Sequence, residues 1–282
     1  MPQSKPHEED LGLVYDVRTL VDRRAALGLF GGVALTTLLA ACASPATSTP
    51  SSTPSSTATG SATDTDTDTD TSTGSLTEVP DETAGPYPGD GSNGVNVLDD
   101  SGIVRGDIRS SFGSSTTVAD GVPLTVKLTV RDAATGDILS GAAVYLWHCD
   151  RNGEYSLYSS GLENENYLRG VQQVDSTGTV TFTTIFPAAY SGRWPHIHFE
   201  VYQDVATAVA NGPIVKTSQI ALPKEACDTV YAESGYEQSV RNLASSSLAS
   251  DNVFGEDGGI YQLASMAGSV AGGYTASLTI GV

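Results

Sequence analysis

The sequence predicts an all-β protein: an antiparallel β-sandwich that follows an export signal and a low-complexity tether. Short segments of alternating apolar and polar residues recur after Pro123, turn-forming residues separate them, and helical periodicity is scarce between them. The 282-residue chain divides unevenly into residues 1–41, 42–78 and 79–282, and the last stretch is long enough to bury one core.

Residues 25–41 (AALGLFGGVALTTLLAA) are uncharged and mostly apolar, and they follow Arg23-Arg24, the order of a bacterial signal peptide. Gly28, Gly31 and Gly32 interrupt the run, which favours a processed signal over a permanent membrane helix. It ends in Leu39-Ala40-Ala41-Cys42, which resembles a lipobox whose cysteine, Cys42, becomes the lipidated first residue of the mature chain. The paired arginines resemble a Tat signal, although such pairs also precede Sec signals. The expected location is therefore the outer face of the cell membrane, reached through a lipid anchor, or the medium.

From Cys42 to about residue 78 the chain is almost entirely Ser, Thr, Ala, Pro, Gly and Asp, with TDTDTDTD at 63–70. Such a segment buries too little apolar surface to offset chain entropy and reads as a disordered linker. The formal net charge of −19 repels nucleic acid and excludes it as a partner. With Cys42 as an anchor, the remaining cysteines, Cys149 and Cys227, form a candidate disulfide pair outside the membrane, two separate buried thiols being the alternative.

Within the folded part the strand-like segments are 124–132 (LTVKLTVRD), 142–150 (AAVYLWHCD), 179–186 (TVTFTTIF) and 196–202 (HIHFEVY). Turn signals at 132–136, 150–153, 175–178 and 191–192 separate them, and Ser234 to Ser245 is a candidate helix. Residues two apart on a strand share a face, so His196 and His198 present two imidazoles side by side, a ready metal site. A wet strand face would carry the same pair without a metal. No cysteine cluster or acidic residue stands at ligand spacing beside it, so Tyr155, after the turn Asn152-Gly153-Glu154, and Tyr190 are the candidate further ligands. Tyrosines at strand ends also serve simply to cover a core.

Several separated motifs resemble the intradiol ring-cleavage dioxygenase family, in particular its secreted branch. They are Gly85-Pro86-Tyr87, the run Gly141 to Asp150 (GAAVYLWHCD), Gly153-Glu154-Tyr155-Ser156, Leu168-Arg169-Gly170, Asp175-x-x-Gly178, Phe182 to Tyr190 (FTTIFPAAY) and Gly192 to Phe199 (GRWPHIHF), in family order. The resemblance implies a single non-haem Fe(III) held by Tyr155, Tyr190, His196 and His198. It implies Arg193 as a catalytic residue that also contacts substrate, Tyr155 in a catalytic as well as a ligating role, and Pro86, Tyr87 and Gln219 beside the substrate ring. The implied partners are a catechol-type substrate and O2, and the implied reaction opens the ring to a muconate-type dicarboxylate. Two phenolates and two imidazoles suit Fe(III) and match zinc or Cu(I) poorly.

Two features depart from the family pattern. Five residues separate Tyr190 from His196, fewer than in the cytoplasmic catechol dioxygenases, and Ala188-Ala189 replace a Gly-containing pair, which implies a more open pocket. The long helical N-terminal segment of those cytoplasmic enzymes is also missing from the sequence. The competing function class is a lipid-anchored binding module whose histidine pair holds a structural ion or none. The colour of phenolate-to-iron charge transfer separates the two.

Overall fold

The structure, a computed structural model, describes residues 76–282. The expected signal at 1–41, Cys42 and all but the last three residues of the expected linker lie outside the described residues.

Among the described residues eight strands form two four-stranded sheets packed face to face. The first sheet has the order β4-β1-β8-β7, with β1 Pro123–Arg131, β4 Thr179–Ile185, β7 Ser265–Ser269 and β8 Gly273–Gly281. The second has the order β3-β2-β5-β6, with β2 Ala143–Trp147, β3 Arg169–Gln173, β5 His196–Tyr202 and β6 Ile214–Ala221. Among the described residues there are three short α-helices, α1 Val205–Val209, α2 Lys224–Val230 and α3 Glu237–Ala244, the last inside the candidate segment. The sandwich is antiparallel except where β1 pairs with β8 in parallel. These are the first and last strands, brought together by the whole intervening chain, and no local turn signal reports such a pairing.

Alternation along β1 buries Leu124, Val126, Leu128 and Val130 against the facing sheet. Each such side chain contributes on the order of 1.5–3 kcal/mol of burial free energy. Strands β2 and β5 are buried along their whole length, because both of their faces are covered. On one face Val144, Leu146, Ile197, Phe199 and Val201 join the sandwich core. On the other, Ala143, Tyr145, Trp147 and Tyr202 pack beneath the loops that carry Ala84, Val97, Leu98 and Ile103. The parity of β5 puts His196 and His198 on this second face.

Two features pin the covering loops. Arg169, 1 % exposed, donates to Tyr87 O, Pro88 O, Ser156 O, Ser156 Oγ and Tyr145 Oη over 2.8–3.1 Å, and so ties the 87–88 segment to the turn that carries Tyr155. Lys216 on β6 pairs with Glu78 and Asp81, fastening the start of the described chain to the second sheet.

The candidate pair Cys149 and Cys227 is not bridged. Cys149, just past β2, lies with its Sγ 3.7 Å from Ala188 O and belongs to the covering cluster. Cys227 sits on α2 within the sandwich core, and burial pushes its thiol pKa up. The two thiols are therefore buried in separate packing environments, as in the alternative reading.

Candidate metal centre

His196 and His198 project from β5 with their Nε2 atoms 3.2 Å apart. His196 Nδ1 lies 2.6 Å from Trp194 O, so its proton sits on Nδ1 and the Nε2 lone pair faces the neighbouring donors. His198 is paired across the sheet with Trp147, and their rings stack at 5.0 Å with 7° between planes, which fixes the imidazole orientation. Burial drives both imidazoles well below the usual histidine range, helped by Arg193 at His196 and by His196 and Arg193 at His198. Both are neutral at physiological pH, the form that ligates metal.

Tyr190 Oη lies 2.9 Å from His196 Nε2. Tyr155 is positioned by a tight turn. Asp150 Oδ1 accepts from Asn152 N and Glu154 N, Gly153 takes φ +89°, and Tyr155 N donates to Ser159 Oγ at 2.9 Å. The ring of Tyr155 stands edge-on to Tyr190 and His198, with centroids 6.2 and 6.4 Å away. Its hydroxyl is buried with no hydrogen-bond partner of ordinary geometry. Burial raises the Tyr155 phenol well above its ordinary range, and the nearby Tyr190 adds to the shift.

This arrangement fits a hard cation. A buried phenol without a partner is costly, yet an ion among the four donors would satisfy Tyr155 Oη and lower its pKa together. Among the described residues no group of three His, Cys, Asp or Glu side chains could hold a metal, so an ion at the histidine pair would draw on the two phenols. The third buried histidine, His148, takes no part. Its Nδ1 and Nε2 are each 2.7 Å from an oxygen, Cys149 O and Thr184 Oγ1, and burial lowers its pKa to about 4.

Arg193 is buried beside the pair, with Nη1 3.4 Å from His196 Nε2 and Nη2 donating to Gln219 Oε1 at 2.7 Å. Gln219, cross-strand from His198, donates through Nε2 to Thr83 O at 2.9 Å. Tyr87 packs its ring on Tyr155 and Tyr158, with centroids 5.0 and 5.1 Å apart, while Pro86 O accepts from Asn93. Gly85, at φ +72°, passes so close that a Cβ would stand 3.1 Å from His198 Cε1. Every site residue named from the sequence within the described part thus lies in one neighbourhood, apart from the two cysteines and with Pro86 at its edge. Sequence reading missed Asp251, whose carboxylate bonds Arg193 Nε at 3.0 Å, and Glu82, half-buried and pushed up to about 7 by burial despite Arg193 and Gln262. Neither residue stands in a recognisable motif.

A β-sandwich with two imidazoles, two phenols and a guanidinium converging under its covering loops defines a class of candidate mononuclear metalloprotein. The comparisons narrow that class. A family model described as Dioxygenase matches residues 111–200. A curated relative, chlorocatechol 1,2-dioxygenase from Pseudomonas putida, is 32 % identical over 103 residues, which is 30 % of this chain and 39 % of that protein. The chain thus spans about two fifths of the length of that relative. The solved intradiol ring-cleavage dioxygenase from Tetranychus urticae is 25 % identical, with a TM-score of 0.57 over 73 % of this chain and 94 % of that one. The chain is thus similar to intradiol ring-cleavage dioxygenases, in sequence over residues 111–200 and in fold over most of its described part.

Proposed function

We propose that the chain binds one Fe(III) through Tyr155, Tyr190, His196 and His198, and that it opens catechol-type rings between the two hydroxyl-bearing carbons with O2 to give muconate-type dicarboxylates. The observation that carries this reading is the convergence of His196 Nε2, His198 Nε2 and Tyr190 Oη beside the partnerless, buried Tyr155 Oη. Bound there, ferric iron would supply the Lewis acidity that makes phenolates of the tyrosines and lets a catechol bind deprotonated.

The remaining roles follow from the chain's own groups. A phenolate at Tyr155 or Tyr190 is a base of suitable strength for a catechol hydroxyl proton, received at Oη. Trp194 O keeps the His196 proton on Nδ1, so Nε2 stays a donor of electrons. Arg193 Nη1 faces the same space and would stabilise negative charge developing on substrate oxygen. Tyr87, packed on Tyr155, forms an apolar wall for a planar ring and excludes water. We also propose that Cys42 carries a lipid and that the Ser/Thr/Asp-rich segment spaces the domain from the membrane.

The test is to load the purified chain with ferric iron, record its visible spectrum, and supply catechol first without and then with oxygen. A phenolate-to-iron band, its shift on catechol binding and the absorbance of a muconate on admission of oxygen are expected. A colourless iron-loaded protein, or a product with the ring opened outside the diol, would overturn the reading.

A further inference from the structure

We propose that Asp251 is the positioning residue of this site: its buried carboxylate sets the plane of the Arg193 guanidinium and offsets its charge, so that Nη1 alone is presented to the reacting centre. The inference rests on the function proposed above. Asp251 lies outside the region matched by the family model, between two one-turn 3-10 helices, Leu248–Ser250 and Phe254–Glu256. Its side chain is 0 % exposed.

The carboxylate is itself held rigidly. Oδ1 accepts from Val253 N at 2.8 Å and Phe254 N at 3.1 Å, amides two and three residues onward in the same turn. Oδ2 accepts from Trp194 N at 2.6 Å and from Arg193 Nε at 3.0 Å, and Oδ1 is 3.4 Å from Arg193 Nη2. Asp251 therefore fixes the backbone just after Arg193 together with the guanidinium itself. Gln219 takes another Nη2 proton. With Nε and Nη2 both committed, the planar fork has one orientation left, and that orientation brings Nη1 to 3.4 Å from His196 Nε2.

Charge gives the second argument. A buried guanidinium opposes any cation accepted by the adjacent imidazoles, and water cannot screen it. A carboxylate on the far edge of the guanidinium offsets that repulsion, while the near edge faces the histidine pair and can act on a transient negative charge. A purely structural salt bridge would hold the 248–256 segment to the sandwich without requiring this side-on geometry.

The experiment uses the iron-loaded full chain in a double-mutant cycle of Asp251→Asn and Arg193→Lys. Asparagine keeps the size of aspartate but sets an amide N–H against either Arg193 and Trp194 or Val253 and Phe254. We expect Asp251→Asn to keep the iron band and to bind catechol anaerobically within about 3-fold of wild type, while kcat falls by about 100-fold, the scale on which misplacing a reacting group acts. Asp251→Glu, which keeps the charge, should turn over faster than Asp251→Asn. In the Arg193→Lys background, adding Asp251→Asn should lower kcat by less than about 3-fold, since no fork remains to be positioned.

Full turnover by a folded, coloured Asp251→Asn protein, or an equal loss in both backgrounds, would overturn the role of Asp251. If Asp251→Asn does not fold, the cycle is run with Asp251→Glu, whose displaced carboxylate should slow the Arg193 protein and not the Arg193→Lys protein; equal effects on both overturn the proposal. Failure of the wild-type chain to colour and to open catechol would instead defeat the functional reading, and this one with it.

Discussion

Removing a single oxygen from Tyr155 should stabilise the metal-free protein and weaken the iron-loaded one. Tyr155 Oη is buried without a hydrogen-bond partner, and an unsatisfied buried hydroxyl costs on the order of 1–2 kcal/mol. Tyr155→Phe keeps the ring and its packing on Tyr87, Tyr190 and His198 at centroid distances of 5.0, 6.2 and 6.4 Å, so the variant recovers that cost with little loss of contact. For a domain of this size each kcal/mol moves the melting temperature by roughly 2–4 °C, so the chelated variant should melt roughly 2–8 °C higher than chelated wild type. With the proposed ligand set, ferric iron should reverse the order, because a ligand at 100 times its Kd adds about 2.7 kcal/mol to the native state and the variant would lack one of the proposed ligand oxygens. Tyr190→Phe is the internal control. Its hydroxyl meets His196 Nε2 at 2.9 Å, so that variant should gain no stability when metal-free. Thermal denaturation followed by circular dichroism, with chelator and with added iron, measures all six states. A chelated Tyr155→Phe protein that melts below wild type, together with an unchanged gain on adding iron, would refute the reasoning.

Two further outcomes are expected. Gly85→Ala places a side chain at φ +72° and 3.1 Å from His198 Cε1. It should lower stability by about 1–2 kcal/mol for the left-handed backbone and lose iron faster in a chelator-competition assay, and wild-type iron retention would show that His198 tolerates the displacement. Cys42→Ser should leave the precursor unprocessed or free the protein from the membrane fraction, and unchanged fractionation would refute the lipid anchor.

The sandwich was legible because β1 and β5 carry strong period-two patterns, and the histidine pair was legible because strand parity needs no tertiary information. The 196–202 segment read from sequence coincides with β5. Strands β7 and β8 were harder, since Ser265–Ser269 is largely exposed and Gly273–Gly281 alternates small and hydroxylated residues whose burial depends on the partner strand. The parallel pairing of β1 with β8 leaves no local mark. Asp251 was invisible for a related reason. It stands in a stretch of Ser, Ala, Asp and Asn that reads as loop, and its partner Arg193 is 58 residues away.

The two buried arginines near the site have different partners, and the difference follows from what each one faces. Arg169 spends its donors on neutral oxygens, three of them backbone carbonyls, and lies over the Tyr158 ring at 5.5 Å. Those bonds bind the 87–88 segment to the Tyr155 turn, and dipoles suffice because the fork there serves geometry. Arg193 faces the neutral His196 at 3.4 Å, so its charge would oppose a cation held by that imidazole. Carbonyl dipoles would orient that fork without cancelling its charge, whereas the Asp251 carboxylate does both. If the donor set holds a cation as proposed, a guanidinium at its edge is less costly with an anion behind it, and the 248–256 segment, outside the matched family region, would then take part in the chemistry alongside the histidine strand.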